Sequence, residues 1–176
     1  MTPTIRPARL NDVDAIAAAH VAAWREAYRG LLPESVLADL TVAGRADQWR
    51  QTLTRGISAV LLAEGRDGGI AGFVSGGPRR TQLRGDAEIY ALYVRAETHR
   101  QGLGRGLMRA AAEALQARGF RSLGLWVLRE NAAARAFYER LGGNPGGARQ
   151  DREAGYTVDE VAYEWPDLST LLVEAR

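Results

Sequence analysis

Residues 86–109 read DAEIYALYVRAETHRQGLGRGLMR. As far as Val94, apolar and polar residues alternate, which predicts a half-buried strand with Glu88, Tyr90, Leu92 and Val94 on one face. Then Gly102, Gly104 and Gly106 alternate with larger residues, and helix formers follow. A strand that turns through glycines into a helix suits an anion. Glycine permits positive φ and close approach, and the helix start offers unpaired N–H groups at the positive end of the dipole. The same glycines would also serve a tight turn with no ligand. Two phosphate loops are excluded. A P-loop needs a lysine, and the chain has none. A dinucleotide fingerprint needs a third glycine where Leu107 stands.

On either side of this stretch the pattern predicts alternating periods. TIRPA (4–8) reads as a short strand. Asn11 or Asp12 is placed to cap a helix reaching Arg29, with Val13, Ile16, Ala17 and Val21 at helical spacing and Gly30 as its stop. Pro33 opens a second helix, PESVLADL, and residues 43–55 form a third with Trp49 and Leu53. ISAVLLAE and IAGFVSG, joined by GRDGG, read as a hairpin. Residues 103–118 form a helix closed by Gly119, SLGLWVL is a strand, and NAAARAFYERLG is a helix capped by Asn131. YTVDEVAYEW is a late strand pairing back on the sheet. The order is that of an α+β fold: helices, an antiparallel meander, then two strand–helix units.

With 176 residues, 46% hydrophobic and 25% charged, the chain suits one domain with a full core. It is expected over 1–176, with a core of about 4–165. Without cysteine there is no thiolate nucleophile, disulfide or thiolate metal site, and two histidines make a metal centre a poor expectation. All 23 basic residues are arginine, scattered along the chain, and the net charge is only +2, so nucleic acid is not an expected partner. No apolar run is long enough to cross a bilayer. The Ala-rich segment 15–23 is preceded by Asp12 and Asp14 and interrupted by His20, which reads as a helix in a cytoplasmic protein, not a signal peptide.

The glycine loop resembles the acetyl-CoA motif of the GNAT acetyltransferases, Gln/Arg-x-x-Gly-x-Gly/Ala after a strand. Here it is His99-Arg100-Gln101-Gly102-Leu103-Gly104. A second pattern of that family, Asn-x-x-Ala-x-x-Phe-Tyr-x-x-x-Gly-Phe, is matched by Asn131, Ala134, Phe137, Tyr138 and Gly142. The two occur in the family's order with one strand between them. His99 departs from the usual Gln or Arg, and Gly143 from the usual Phe.

The resemblance implies a mixed, mostly antiparallel central sheet flanked by helices, a three-layer arrangement whose splayed strands AEIYALYV and SLGLWVL hold acetyl-CoA. It implies backbone contacts from Leu92, Tyr93 and Val94 to the pantetheine arm, a cofactor acting as an added strand. The pyrophosphate would lie on Arg100, Gln101, Gly102, Leu103, Gly104 and Arg105, with Asn131 and Ala134 also at the cofactor. An N–H near Leu92 would polarise the thioester carbonyl. Tyr138 is the candidate acid at the CoA sulfur and Glu88 the candidate base, acting through water, with His20 as the alternative base. Trp24, Tyr28 and Tyr90 are candidates for the amine pocket. The implied activity is acetyl transfer to a primary amine by direct attack in a ternary complex. A non-catalytic acyl-CoA sensor on the same fold is the competing reading. A homodimer is expected, with Leu168, Leu171, Leu172 and Val173 offering an apolar surface to a neighbour.

Overall fold

The structure, a computed structural model, describes residues 4–65, 68–153 and 155–173. A seven-stranded sheet runs in the order β1-β2-β3-β4-β5-β7-β6. Its strands are β1 (Ile5–Pro7), β2 (Ala59–Glu64), β3 (Ile70–Pro78), β4 (Ala87–Val94), β5 (Leu123–Leu128), β6 (Asn144–Glu153) and β7 (Tyr156–Trp165). Every neighbouring pair is antiparallel except β4 with β5. A parallel pair needs a crossover, and α4 (Leu103–Gln116) supplies it.

The helices divide between the two faces according to their apolar stripes. Leu103, Leu107, Met108, Ala111, Ala112 and Leu115 recur at helical spacing and are all buried, so α4 packs its stripe on β2, β3 and β4. With α5 (Ala132–Arg140) it covers one face. On the other face lie α1 (Val13–Ala27) and α3 (Val42–Arg55), which enclose Val13, Ile16, Ala17, Trp49, Leu62 and Phe73. The short α2 (Glu34–Asp39) joins these two helices in sequence. Thr41 caps α3 by accepting from Gly44 N–H, and Gly56 ends it at φ +64.

The late strand pairs back on the sheet as expected, against β5, and β6 joins it in a hairpin. Three expectations are corrected. Asp12 makes no cap bond to α1; it receives two guanidinium hydrogen bonds from Arg6 and one from Arg9 N–H, bracing β1. The leucines expected to meet a neighbour pack within the chain: Leu168 and Leu171 are buried against the α4 side, and Leu172 joins them. Last, β4 does not keep one alternation along its length. The β3–β4 register shifts between Ser75 and Gly76, so Ser75 faces Ala91 and Gly76 faces Ile89. Tyr90 is the extra residue of a β-bulge, which flips the faces beyond it. Ala87 and Ile89 lie on the α4 side before the bulge, Leu92 and Val94 after it, while Ala91 and Tyr93 pack with the α1–α3 core. Glu88 therefore faces away from Leu92 and Val94.

Candidate active site

β4 and β5 pair only at Ala87–Leu123 and Glu88–Gly124. Beyond that point they splay. The closed end is held by Asp86, whose carboxylate accepts from the backbone N–H groups of Arg121 and Ser122 and from the Ser122 hydroxyl. Burial works against that carboxylate's charge, but these donors outweigh it and hold Asp86 below the usual carboxylate range.

The open edge of β4 follows from strand geometry. Arg95 N–H donates to Ala71 C=O, and hydrogen-bonded pairs alternate along an antiparallel ladder. Tyr93 therefore spends its backbone groups on Phe73, and those of Leu92 and Val94 point into the gap. This revises the expected trio: Tyr93 turns its backbone to β3 and its ring to Phe73, 6.2 Å away. His99, at the departure from the family loop, folds back; its Nε2 lies 2.8 Å from Val94 C=O and donates to it.

The glycine loop lies at the mouth of this gap. Arg100 and Gly102 both have positive φ, +61 and +79. Gly102 opens α4 with no side-chain cap, so the first N–H groups of the helix, from Leu103 to Arg105, lack helical partners. Arg100 and Arg105 are exposed and form no ion pair among the described residues. An extended strand edge leading to uncapped N–H groups fits a pantetheine arm ending in a pyrophosphate. Gly104 has another duty: a Cβ there would stand 3.0 Å from the Phe137 ring. Asn131 caps α5 through Ala134 N–H at 3.0 Å.

Glu88 and Tyr138 occupy opposite faces of the fork. Glu88 is buried, 6% exposed, yet well solvated by protein. Its Oε2 accepts from Arg80 N–H at 2.8 Å, Thr81 N–H at 3.0 Å and the Thr81 hydroxyl at 3.0 Å. Its Oε1 receives no hydrogen bond from a described residue. Tyr138 lies on the α4–α5 face among aromatic rings, with Phe137, Tyr163 and Trp165 at 5.3, 5.8 and 6.2 Å. Its hydroxyl bonds to no described residue, and burial pushes it well above the usual tyrosine range, keeping it protonated.

Trp165 explains the second departure from the family pattern. A Cβ on Gly143 would stand 2.7 Å from the Trp165 ring, whose Nε1 donates to Leu141 C=O. The indole fills the space beside residue 143.

The remaining candidates separate. Tyr90 carries the Arg80 guanidinium 3.5 Å over its ring and donates its hydroxyl to Pro78 C=O. Trp24 and Tyr28 stack at 4.7 Å and pack with Leu128 and Val158 at the far ends of β5 and β7. His20 lies between Trp49 and Phe73, its Nδ1 accepting from Trp49 Nε1. Burial, then the Arg45 charge, lower its pKa to about 4, so it stays neutral in the core. A cleft of about 480 Å³ between α1 and the end of β4 is lined by neither Glu88 nor Tyr138.

Sequence reasoning missed Arg80, Thr81, Asp86, Trp126 and Arg149. Trp126 Nε1 donates to the Thr81 hydroxyl at 2.9 Å, and Arg149 stacks 4.4 Å over Trp126 while paired with Asp151 and Glu160. Trp126 reads as one more apolar residue of SLGLWVL, and Thr81 sits in an irregular loop without a pattern.

The comparisons with known proteins bear on the family and the fold. The profile of the acetyltransferase (GNAT) family matches residues 21–143. An uncharacterised N-acetyltransferase of Bacillus subtilis, YuaI, is 37% identical over 171 residues, 96% of this chain and 95% of that protein. A ribosomal-protein-alanine N-acetyltransferase of Brucella melitensis superposes with a TM-score of 0.71 at 26% identity, covering 92% of this chain and 98% of its own. The PaiA N-acetyltransferase of Thermoplasma acidophilum, solved with coenzyme A, superposes with a TM-score of 0.71 at 19% identity over 91% and 98% of the two chains.

Proposed function

Given that the chain belongs to the GNAT acetyltransferase family, acetyl-CoA-dependent N-acetyltransferases, we propose that it transfers acetyl to a primary amine by direct attack, with Glu88 as base and Tyr138 as acid. One observation carries this reading. A carboxylate with one open oxygen and a protonated phenol with an unspent hydroxyl flank the same strand fork from opposite faces.

Acetyl-CoA supplies the activated acyl group. The amine nitrogen forms the new bond to the carbonyl carbon, and the carbon–sulfur bond breaks. The amine proton passes to Glu88 Oε1, through water. Leu92 N–H, directed into the gap, polarises the thioester carbonyl. The Tyr138 hydroxyl gives its proton, or a hydrogen bond, to the departing sulfur. Asn131 and Ala134 at the start of α5, and the loop from Arg100 to Arg105, hold the cofactor. Without a cysteine there is no thiol to carry an acyl-enzyme.

The test is CoA release from acetyl-CoA against a panel of primary amines, read beside thermal melts. Acceptor-dependent release is expected. Acetyl-CoA at one hundred times its dissociation constant should add about 2.7 kcal/mol of stability. Stabilisation with no release from any amine would favour a sensor, and neither effect would remove the cofactor reading too.

A further inference from the structure

The hydrogen bonds behind Glu88 have a forced direction. An indole N–H can only donate, so the Thr81 hydroxyl accepts from Trp126 Nε1 at 2.9 Å. Its single proton is then left for Glu88 Oε2, 3.0 Å away. Two backbone donors, Arg80 N–H and Thr81 N–H, aim at the same oxygen. An oxygen facing three donors has no good direction left for a proton of its own, and Oε1 is the other place on the carboxyl group.

From this chain we infer that Thr81, oriented by Trp126, is a positioning residue that makes Oε1 of Glu88 the proton-accepting atom. The inference rests on the reading of Glu88 as the base. The wiring also reaches the far side of the fork. Trp126 lies on β5, on the face away from Leu125 and Val127, and Arg149 of β6 stacks on it. That arginine is held by Asp151 on its own strand and by Glu160 on β7. The orientation of a β4 carboxylate is thus set from across the gap, by β5, which pairs with β4 only at Ala87 and Glu88, backed by β7 and β6, which do not pair with β4.

Thr81→Val tests this by removing the hydroxyl and leaving both backbone donors. The expected result is a fall in kcat of about 10–10²-fold, with the KM for acetyl-CoA and its thermal stabilisation unchanged. Thr81→Ser should recover to within about threefold of wild type. Trp126→Phe, which keeps an aromatic ring and removes the N–H, should lower kcat by about three- to tenfold. The decisive comparison is the double variant. Thr81→Val on Glu88→Gln should cost nothing beyond Glu88→Gln alone, because a positioning residue has nothing left to position.

Wild-type kcat in Thr81→Val, or a loss that multiplies fully with that of Glu88→Gln, would overturn the inference. If Thr81→Val does not fold, Trp126→Phe in the same cycle decides by the same criterion. If Glu88→Gln itself keeps wild-type rates, the base reading fails. That outcome differs from a base that works without Thr81.

Discussion

The two faces of the β4–β5 fork treat their ionisable groups in opposite ways. On the α1–α3 face, Glu88 is buried under three donors on one oxygen. On the α4–α5 face, Tyr138 is buried among rings with its hydroxyl unspent. The contrast follows from charge. A carboxylate that must be ionised to work can be buried only if protein dipoles replace water. A phenol that must stay protonated gains from the reverse, since desolvation penalises its anion. One strand fork thus carries a carboxylate solvated by protein on one face and a desolvated phenol on the other.

The largest expected effect breaks the solvated side. Glu88→Gln should lower kcat/KM by roughly 10²–10⁴-fold. Repeating the comparison with an acceptor amine of different basicity separates the loss of a base from a demand of the substrate. On the dry side, Tyr138→Phe should reduce kcat by roughly 10²-fold, with acetyl-CoA affinity close to wild type, because the ring packing survives. Equal losses of affinity and rate would mean that Tyr138 is chiefly structural.

Stability should respond to opposite ends of the pH scale on the two faces. His20, on α1 and packed against Trp49 of α3, titrates at about 4 in the fold against its ordinary 6.5. Between those values the unfolded chain binds the proton and the folded one does not. Its contribution is full above about 6.5 and is lost as pH falls toward 4, up to roughly 3 kcal/mol. Tyr138 works in alkali. The unfolded phenol ionises from about pH 10 while the folded one holds its proton, so stability declines above pH 10. Melting curves against pH should lose part of the acid slope in His20→Phe, Asp12 and Asp86 supplying the rest, and part of the alkaline slope in Tyr138→Phe, with Tyr90, Tyr93 and Tyr163 supplying the rest. A smaller effect sharpens the dry side further. Gly143→Phe, which makes residue 143 match the family pattern, should destabilise by about 1–3 kcal/mol through collision with Trp165. Paired with Trp165→Ala, it should recover part of that loss.

Much of the frame was legible because it depends on local pattern. The helix at residues 103–118 and the cap at Asn131 obey short-range rules. So do the glycine stops at Gly30 and Gly119. β6 was illegible for a physical reason. Its sequence, NPGGARQDRE, has a proline, two glycines and six charged or amide side chains, and it lies at the sheet edge, where no inward alternation is required. The bulge at Tyr90 was equally hidden, since AEIYALYV alternates well on paper and only pairing with β3 shows the shift. At the site, Glu88 and Tyr138 could be singled out from motifs, but not their separation onto two faces. Thr81 and Trp126 are joined across 45 residues of chain by one hydrogen bond. No spacing rule reaches that far.

The lone parallel pair also divides the molecule as a folding chain. β1 to β4 form a continuous antiparallel ladder, and β5, β7 and β6 form another. Each ladder can grow by contacts between near neighbours in its own half, whereas joining β4 to β5 must wait for α4 and the loss of entropy in closing a long loop. The gap between β4 and β5 is therefore the seam between two separately assembling halves. The C-terminal turn Leu168–Leu171 stitches that seam: it buries Leu168 and Leu171 in the α4 cluster and ties Leu168 N–H to Arg121 C=O at the entry to β5. Leu168→Ala should cost about 2–5 kcal/mol, and because it loosens the join more than either ladder, hydrogen exchange should rise first along the β4–β5 contact. A ligand lying along the open edge of β4 would act on the same seam, so its binding should slow the parting of the halves more than the fraying of either one.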